Sequence, residues 1–331
     1  MAAHRVALVG MGWIARDHVQ EALAPQEDVE IVAVCDVDEE RAYQGAPSAA
    51  TVYTDWNELL DCETLDALWV CTPPLTHREP AVAALERGIA VYLEKPIARG
   101  LEDGAAIVAA AEASDAPCAV GYQWHALDLL DHVRAALDGR TVALVAGKSI
   151  GPTQSRPWFL DRSQGGGQLL ERASHHIDLQ RAIAGEVERV QAASTTVELA
   201  AHEAGDVESS VVLVLHFADG GIGTIEVAWT NPGQMRIFEL DVAAADVTLR
   251  LVLDPDFRLT GQAADRELEA RAASKPFRRS DELFLDAVRS RDKNAVACAP
   301  RDALGTLAVA LVAEKALETG ETVSVPSLVA P

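Results

Sequence analysis

The chain has 331 residues, nearly half of them apolar, and a formal net charge of -23. That length exceeds what one hydrophobic core usually spans, so two domains are expected. A field this negative repels polyanions and argues against nucleic acid or an anionic membrane as partner, though a local site can still hold one phosphate. Cys35, Cys62, Cys71, Cys118 and Cys298 include no CxxC pair. They read as free thiols of a reducing compartment, and no metal site is expected. The N-terminus enters a strand without the apolar run of a signal peptide, and no apolar run reaches the ~20 residues of a membrane span. A cytoplasmic protein is expected.

The first element, RVALVG, is a short β-branched run ending in glycine and reads as a buried strand. WIARDHVQEALA is helical, and VEIVAVCD is a second strand that ends in an acid. LDALWVCTPP and IAVYLEKP are strands stopped by proline, PCAVGYQW is a fifth, and HREPAVAALERG and LEDGAAIVAAAEASD are helices between them. Strands alternating with helices of this length predict βαβ units and a parallel sheet. The pattern changes near residue 125. After a helix (LDLLDHVRAAL), a strand (TVALVAGKSI) and a glycine-led helix, five strand-like runs follow between 189 and 253 with short turns. They predict an antiparallel meander. The last fifty residues are helical again, ending in ETVSV. The expected fold is a doubly wound Rossmann domain over 1–122 and an α/β domain over 123–331 with a large, mostly antiparallel, open-faced sheet. The C-terminal helix is expected to pack partly back on the first domain.

Between the first strand and the first helix stands Gly10-Met11-Gly12-Trp13-Ile14-Ala15, the GxGxxA form of the dinucleotide fingerprint. Gly10 permits the tight turn, Gly12 lets a pyrophosphate reach the backbone, and Ala15 lets helix and strand pack closely. The helix N-terminus at Trp13 and Ile14 offers N–H groups and the positive end of its dipole to the phosphates. Asp36 ends the second strand and can accept hydrogen bonds from both ribose hydroxyls while repelling a 2′-phosphate. NAD is therefore expected over NADP, with nearby Arg41 able to soften the preference. Thr72, Pro73, Pro74 and His77 follow the third strand, and Glu94-Lys95-Pro96 follow the fourth. Ligands of doubly wound sheets bind at such strand ends, so these residues join the expected cofactor site.

VGMGWIA, VCDVDEER, VCTPPLTH, AVYLEKPIA, VGYQW, the GGG stretch and ALGTLAVALVAEKALETGETVSV occur in one order over almost the whole chain. In that order they resemble the Gfo/Idh/MocA family, named for glucose–fructose oxidoreductase and inositol dehydrogenase. The resemblance implies NAD(P)-dependent oxidation or reduction of a sugar, cyclitol or related carbonyl compound, with the catalytic lysine at Lys95. It also implies that the GGG turn leads into a helix on the cleft floor carrying an acid and a histidine four residues apart. GGGQLLERASHHID, residues 165–178, has that spacing in Glu171 and His175. On an ideal helix the two lie about 40° apart in projection, Asp178 falls near the same stripe, and His176 points about 100° away. His175 is then the general base and His176 flank or wall.

Many members carry Asp where Glu171 stands, and Arg172-Ala173-Ser174 also departs from the common pattern. Glu171 would tune His175, grip a substrate hydroxyl, or simply favour the helix dipole. The family often has Arg where His125 stands, which puts an anion-binding role there in doubt. Tyr122, Trp124 and His125 end a strand at the cleft; Trp158 would stack on a sugar ring or join an aromatic core. Arg156 and Arg162 would bind a phosphate or carboxylate, or be solvated loop residues. Three functions remain open: a polyol or sugar dehydrogenase, a keto-sugar or nucleotide-sugar reductase, and a non-catalytic NAD-binding regulator. Apolar residues on both faces of SSVVLVLHF and VTLRLVL predict an interface, and a homodimer or homotetramer through this sheet.

Overall fold

In the N-terminal part, short apolar runs bury both faces and pair in parallel. The computed structural model describes residues 3–152, 157–197, 207–231 and 233–327. Two compact units divide the chain, one of 1–126 with 276–304 and one of 127–275 with 305–331. The first holds a six-stranded sheet of β1 (His4–Val9), β2 (Val29–Cys35), β3 (Thr51–Tyr53), β4 (Ala67–Val70), β5 (Ala90–Leu93) and β6 (Cys118–Val120). The order is β3-β2-β1-β4-β5-β6, and every pairing is parallel. All four residues of β4 and of β5 are buried, as a sheet covered on both faces requires. The strand order reverses beside β1, which places a ligand crevice at the C-terminal ends of β1 and β4. Edge strand β3 has three residues, none of them buried, and gives no apolar run by which a sequence reading could find it.

The core of this unit draws on distant sequence. The helix Pro276–Ser290 buries Phe284, Leu285, Ala287 and Val288, which share one face at helical spacing. The ring of Phe284 meets Trp69 edge-on at 5.1 Å and Tyr92 at 5.6 Å. The first unit is therefore closed by residues far beyond 122, and its chain boundary falls at 126.

The second unit carries β7 (Val142–Pro152), β8 (Val187–Thr195), β9 (Ser210–Phe217), β10 (Ile222–Thr230), β11 (Ile237–Ala244), β12 (Val247–Asp254), β13 (Arg258–Ala263), β14 (Arg266–Arg271) and β15 (Val323–Ser324). They form one nine-stranded sheet, mostly antiparallel, in the order β14-β13-β12-β11-β7-β10-β9-β8-β15. The expected meander is corrected here: β7 inserts between β10 and β11 and pairs with β10 in parallel. β13 and edge strand β14, which the sequence reading left out, are polar and have no buried residue but Leu259.

Helix Ser174–Ala184 lies against this sheet at Gly147 and Gly223, where an added Cβ would run into the side chains of His176 and Gln180. On the opposite face Leu144, Val212 and Ile222 are each more than 40% exposed. The expectation of apolar residues on both faces holds only in part. In β12 buried Val247, Leu249, Leu251 and Leu253 alternate with exposed Thr248 and Arg250, so the apolar patch is confined to the central strands. Among the described residues no helix is long and apolar enough to cross a membrane.

Candidate active site

In the first unit the strand ends are laced together by backbone hydrogen bonds: Gly10 N–H to Cys35 O, Cys71 N–H to Val9 O, Glu94 N–H to Val70 O and Gly121 N–H to Leu93 O. Gly10 has φ +88°, and an added Cβ would sit 2.7–2.8 Å from backbone atoms of Cys71 and Thr72. Only glycine fits both the conformation and the space. At Gly12 the opposite holds: a Cβ would meet nothing within 4 Å. Open space over a glycine at a helix N-terminus is what a pyrophosphate needs, and Trp13 beside it is half exposed. Asp36 is buried; its Oδ2 accepts the Met11 N–H at 2.8 Å, and its Oδ1 accepts from Asp38 N at 3.0 Å and Arg41 Nη1 at 3.3 Å. The carboxylate thus ties the glycine turn to the end of β2, and Arg41 spans Asp36 and Asp38.

Thr72 and Pro73 stand at the end of β4, while Pro74 is buried. His77 is placed differently from expectation. It is fully buried, bridging Thr72 O at 2.8 Å and Ile97 O at 3.3 Å, and burial pushes its pKa down. It therefore ties the Thr72–Pro74 loop to Ile97 from inside the protein, with no exposed surface of its own. Lys95 is half-buried at the end of β5, and its N–H donates to Oε2 of Glu94 at 3.1 Å. Glu94 is itself buried, with Oε1 3.1 Å from Nε2 of His18. Glu94 supports the lysine from beneath, so its expected place on the cofactor becomes one on the lysine's own backbone.

The GGG stretch belongs to the second unit. The short helix Arg162–Gly165 ends at Gly166 with φ +74°, and Gly167 follows with φ +64°. Two successive left-handed residues reverse the chain, and few side chains tolerate even one. The next turn is not α-helical as expected: Leu169–Ala173 is a π turn, closed by Ser174 N–H donating to Leu169 O five residues back. In this wider turn four residues fall short of a revolution, where an α-helix carries them past it. Glu171 is buried and His175 half-buried. His176 is fully buried toward the sheet, and burial pushes its pKa down to about 4. Asp178, on the same stripe and a candidate for substrate contact, is fully buried, and its Oδ1 accepts from Thr306 Oγ1 at 3.1 Å.

Residues 4–122 match the Gfo/Idh/MocA oxidoreductase family, NAD-binding Rossmann fold, and residues 138–254 match its C-terminal domain. The chain belongs to the Gfo/Idh/MocA family. It is 28% identical to D-apiose dehydrogenase of Paraburkholderia graminis over 97% of this chain and 90% of that protein. It is 29% identical to myo-inositol 2-dehydrogenase of Thermotoga maritima over 67% of each. In fold it resembles GenD2 from gentamicin A biosynthesis, solved with NAD, at a TM-score of 0.84 and 23% identity over 99% of this chain and 97% of that one.

The remaining expected residues of this Gfo/Idh/MocA oxidoreductase fall in both units. Tyr122 and Trp124 are almost fully buried, and Nδ1 of His125 lies 3.1 Å from Ala297 O. Trp158 is half-buried, and its ring lies 4.4 Å from that of its neighbour Phe159. Arg162 pairs with buried Glu208 at 2.7 Å, which commits its guanidinium within the protein. Arg156 lies outside the described residues. Two groups escaped the sequence reading. Arg172 donates to the carbonyls of Gly151, Pro152 and Ala228, and burial followed by the neighbouring Arg236 pushes its pKa down to about 10. His18 and Asp281 form a buried ion pair at 2.8 Å, though they stand 263 positions apart and no local pattern joins them.

Proposed function

We propose that this oxidoreductase transfers hydride between NAD and a secondary alcohol or ketone of a sugar, cyclitol or related polyol. The observation that carries the reading is the gathering of Gly10, Gly12, Asp36, Thr72 and Lys95 at the C-terminal edge of one parallel sheet. The relatives, a D-apiose dehydrogenase and a myo-inositol dehydrogenase, support the substrate class. The turn at Gly10–Gly12 and the following helix start would hold the pyrophosphate, and Asp36 the ribose. When bound there, the nicotinamide supplies a two-electron hydride acceptor or donor.

His175 is the general base of this proposal: a neutral imidazole can take the hydroxyl proton near neutral pH. The Lys95 ammonium donates a hydrogen bond to the developing alkoxide, a contact worth most in the transition state. Glu171 orients His175 or grips a substrate hydroxyl. In the reverse direction the same pair protonates a reduced ketone, so a keto-sugar reductase needs no further residue. Retention of both Lys95 and His175 favours an enzyme over an NAD-binding regulator. NAD is preferred over NADP because Asp36 sits where a 2′-phosphate would meet a carboxylate, although Arg41 lies against it.

The test is a screen of polyols, sugars and sugar phosphates with NAD and with NADP, following the reduced cofactor by absorbance. Turnover with a cyclic polyol or aldose and NAD is expected. Tight NAD binding with no turnover on any substrate would favour the regulator instead.

A further inference from the structure

His18 is fully buried at the start of a π turn, His18–Leu23, that continues the dinucleotide-binding helix Trp13–Asp17. Its Nδ1 lies 2.8 and 2.9 Å from the two oxygens of Asp281, and its Nε2 lies 3.1 Å from Oε1 of Glu94. An imidazole with a carboxylate at each nitrogen satisfies both only by carrying two protons. Asp281 is fixed in turn by the indole N–H of Trp69 at 2.8 Å. Tyr92 and Phe277 wall the ring at 5.2 and 4.6 Å, and the Tyr92 hydroxyl is 3.0 Å from Ser280 Oγ.

Glu94 is boxed as tightly. A Cβ added at Gly121 would lie 3.0 Å from its Oε1 and 3.3 Å from its Cδ. Its other oxygen, Oε2, accepts the Lys95 N–H at 3.1 Å. A continuous path therefore runs from Asp281 through His18 and Glu94 to the backbone of Lys95. Nothing in the hydride chemistry requires these buried groups.

We propose that His18 is a positioning residue: a permanently protonated imidazolium, held by Asp281, that grips Glu94 and thereby sets where Lys95 stands. The inference rests on the reading of Lys95 as catalytic. The electrostatics agree. Burial alone would push the His18 pKa down, but the charge and hydrogen bond of Asp281, then those of Glu94, bring it up to about 10. The other titratable groups at this site are Tyr92 and Cys71, and burial, with the two acids, raises both of them well above their ordinary values. Both stay neutral, so neither adds a charge beside His18. A charged cluster this buried is costly to desolvate and is a poor route to mere stability. Its geometric role is the better account.

The test has two arms. In the wild-type protein with 15N-labelled histidine, NMR should show both ring nitrogens of His18 protonated from pH 6 to 9. A neutral ring at pH 8 overturns the proposal without any reference to turnover. In Asp281→Asn the amide keeps an oxygen for Trp69 but removes the charge that raises His18, so its pKa falls into the working range. The ratio of variant to wild-type kcat should then be highest at low pH and fall about tenfold per unit above the new pKa, with the NAD Kd unchanged. A loss that is equal at every pH marks a structural role only and refutes positioning. Should Lys95→Met keep normal kcat, the reading of Lys95 fails instead, while the NMR result on His18 stands by itself.

Discussion

Asp36 joins two tasks that a pair of substitutions can separate. Its Oδ2 accepts the buried N–H of Met11 at 2.8 Å, inside the glycine turn, while Oδ1 faces Arg41 at 3.3 Å. Asp36→Ala strands that N–H, and a buried unpaired donor costs about 1–3 kcal/mol. For a domain of this size each kcal/mol lowers Tm by about 2–4 °C. Asp36→Asn keeps an oxygen for the buried Met11 N–H and gives up the bonds at Oδ1 from Asp38 N–H and Arg41, so it should lose less stability than Asp36→Ala. If Asp36 holds the ribose as proposed, both variants lose a charge-assisted bond worth about 1.5–3 kcal/mol, or about 10- to 150-fold in NADH affinity. Both also release Arg41 from Asp36, leaving it on Asp38 at 3.0 Å and able to meet a 2′-phosphate. Differential scanning calorimetry reads the first effect, and fluorescence titration with NADH and NADPH the second. Equal Tm loss in the two variants would refute the turn-bracing role. An unchanged NADPH-to-NADH affinity ratio in both would refute Asp36 as the discriminator.

Lys95→Met should leave the NAD Kd nearly intact and lower kcat by about 10²- to 10⁴-fold, since it removes a transition-state contact; His175→Ala should do the same and flatten the pH–rate profile near neutrality. Acid should destabilise the protein through His176, whose folded pKa of about 4 lies below the ordinary 6.5. Its contribution is intact above pH 6.5 and falls by roughly 3 kcal/mol by about pH 4, so urea midpoints measured in wild type and His176→Gln should diverge over that window. The exposed Leu144, Val212 and Ile222 of the open sheet face predict a homodimer or a tetramer of dimers; light scattering coupled to size exclusion that returned the mass of one chain would refute it.

The cofactor end of the protein was legible because its signals are local. Gly10 and Gly12 work through backbone space, and Asp36 follows its strand directly, so a spacing rule finds all three. Lys95 was legible because proline punctuates a strand end. The support beneath Lys95 was not, because His18 and Asp281 meet only after the chain has built a second unit and returned through Pro276–Ser290. His77 was misplaced for a related reason. A histidine three residues past a Pro-Pro turn at a strand end reads as a cofactor-site residue, and only its two carbonyl partners show how deeply it is held. At Glu171 the ideal-helix projection failed because a π turn leaves no mark in residue type.

The misread sheet order has a consequence for the helix that carries Glu171 and His175. In a meander, neighbouring strands run in opposite directions, and adjacent C-terminal ends lie at opposite edges. The parallel pairing of β7 with β10 aligns Trp229 with Gly151 and Thr230 with Pro152. The carbonyls of Gly151 and Pro152 from one strand and of Ala228 from the other therefore face one spot. All three accept from Arg172, the residue after Glu171. A guanidinium has five donors in a fixed fork and suits such a set of carbonyls, whereas an ammonium would reach them as a point charge. The crossover that inserts β7 between β10 and β11 thus creates an anchor for the π turn, and Arg172 is the side chain by which the sheet topology reaches the candidate catalytic helix.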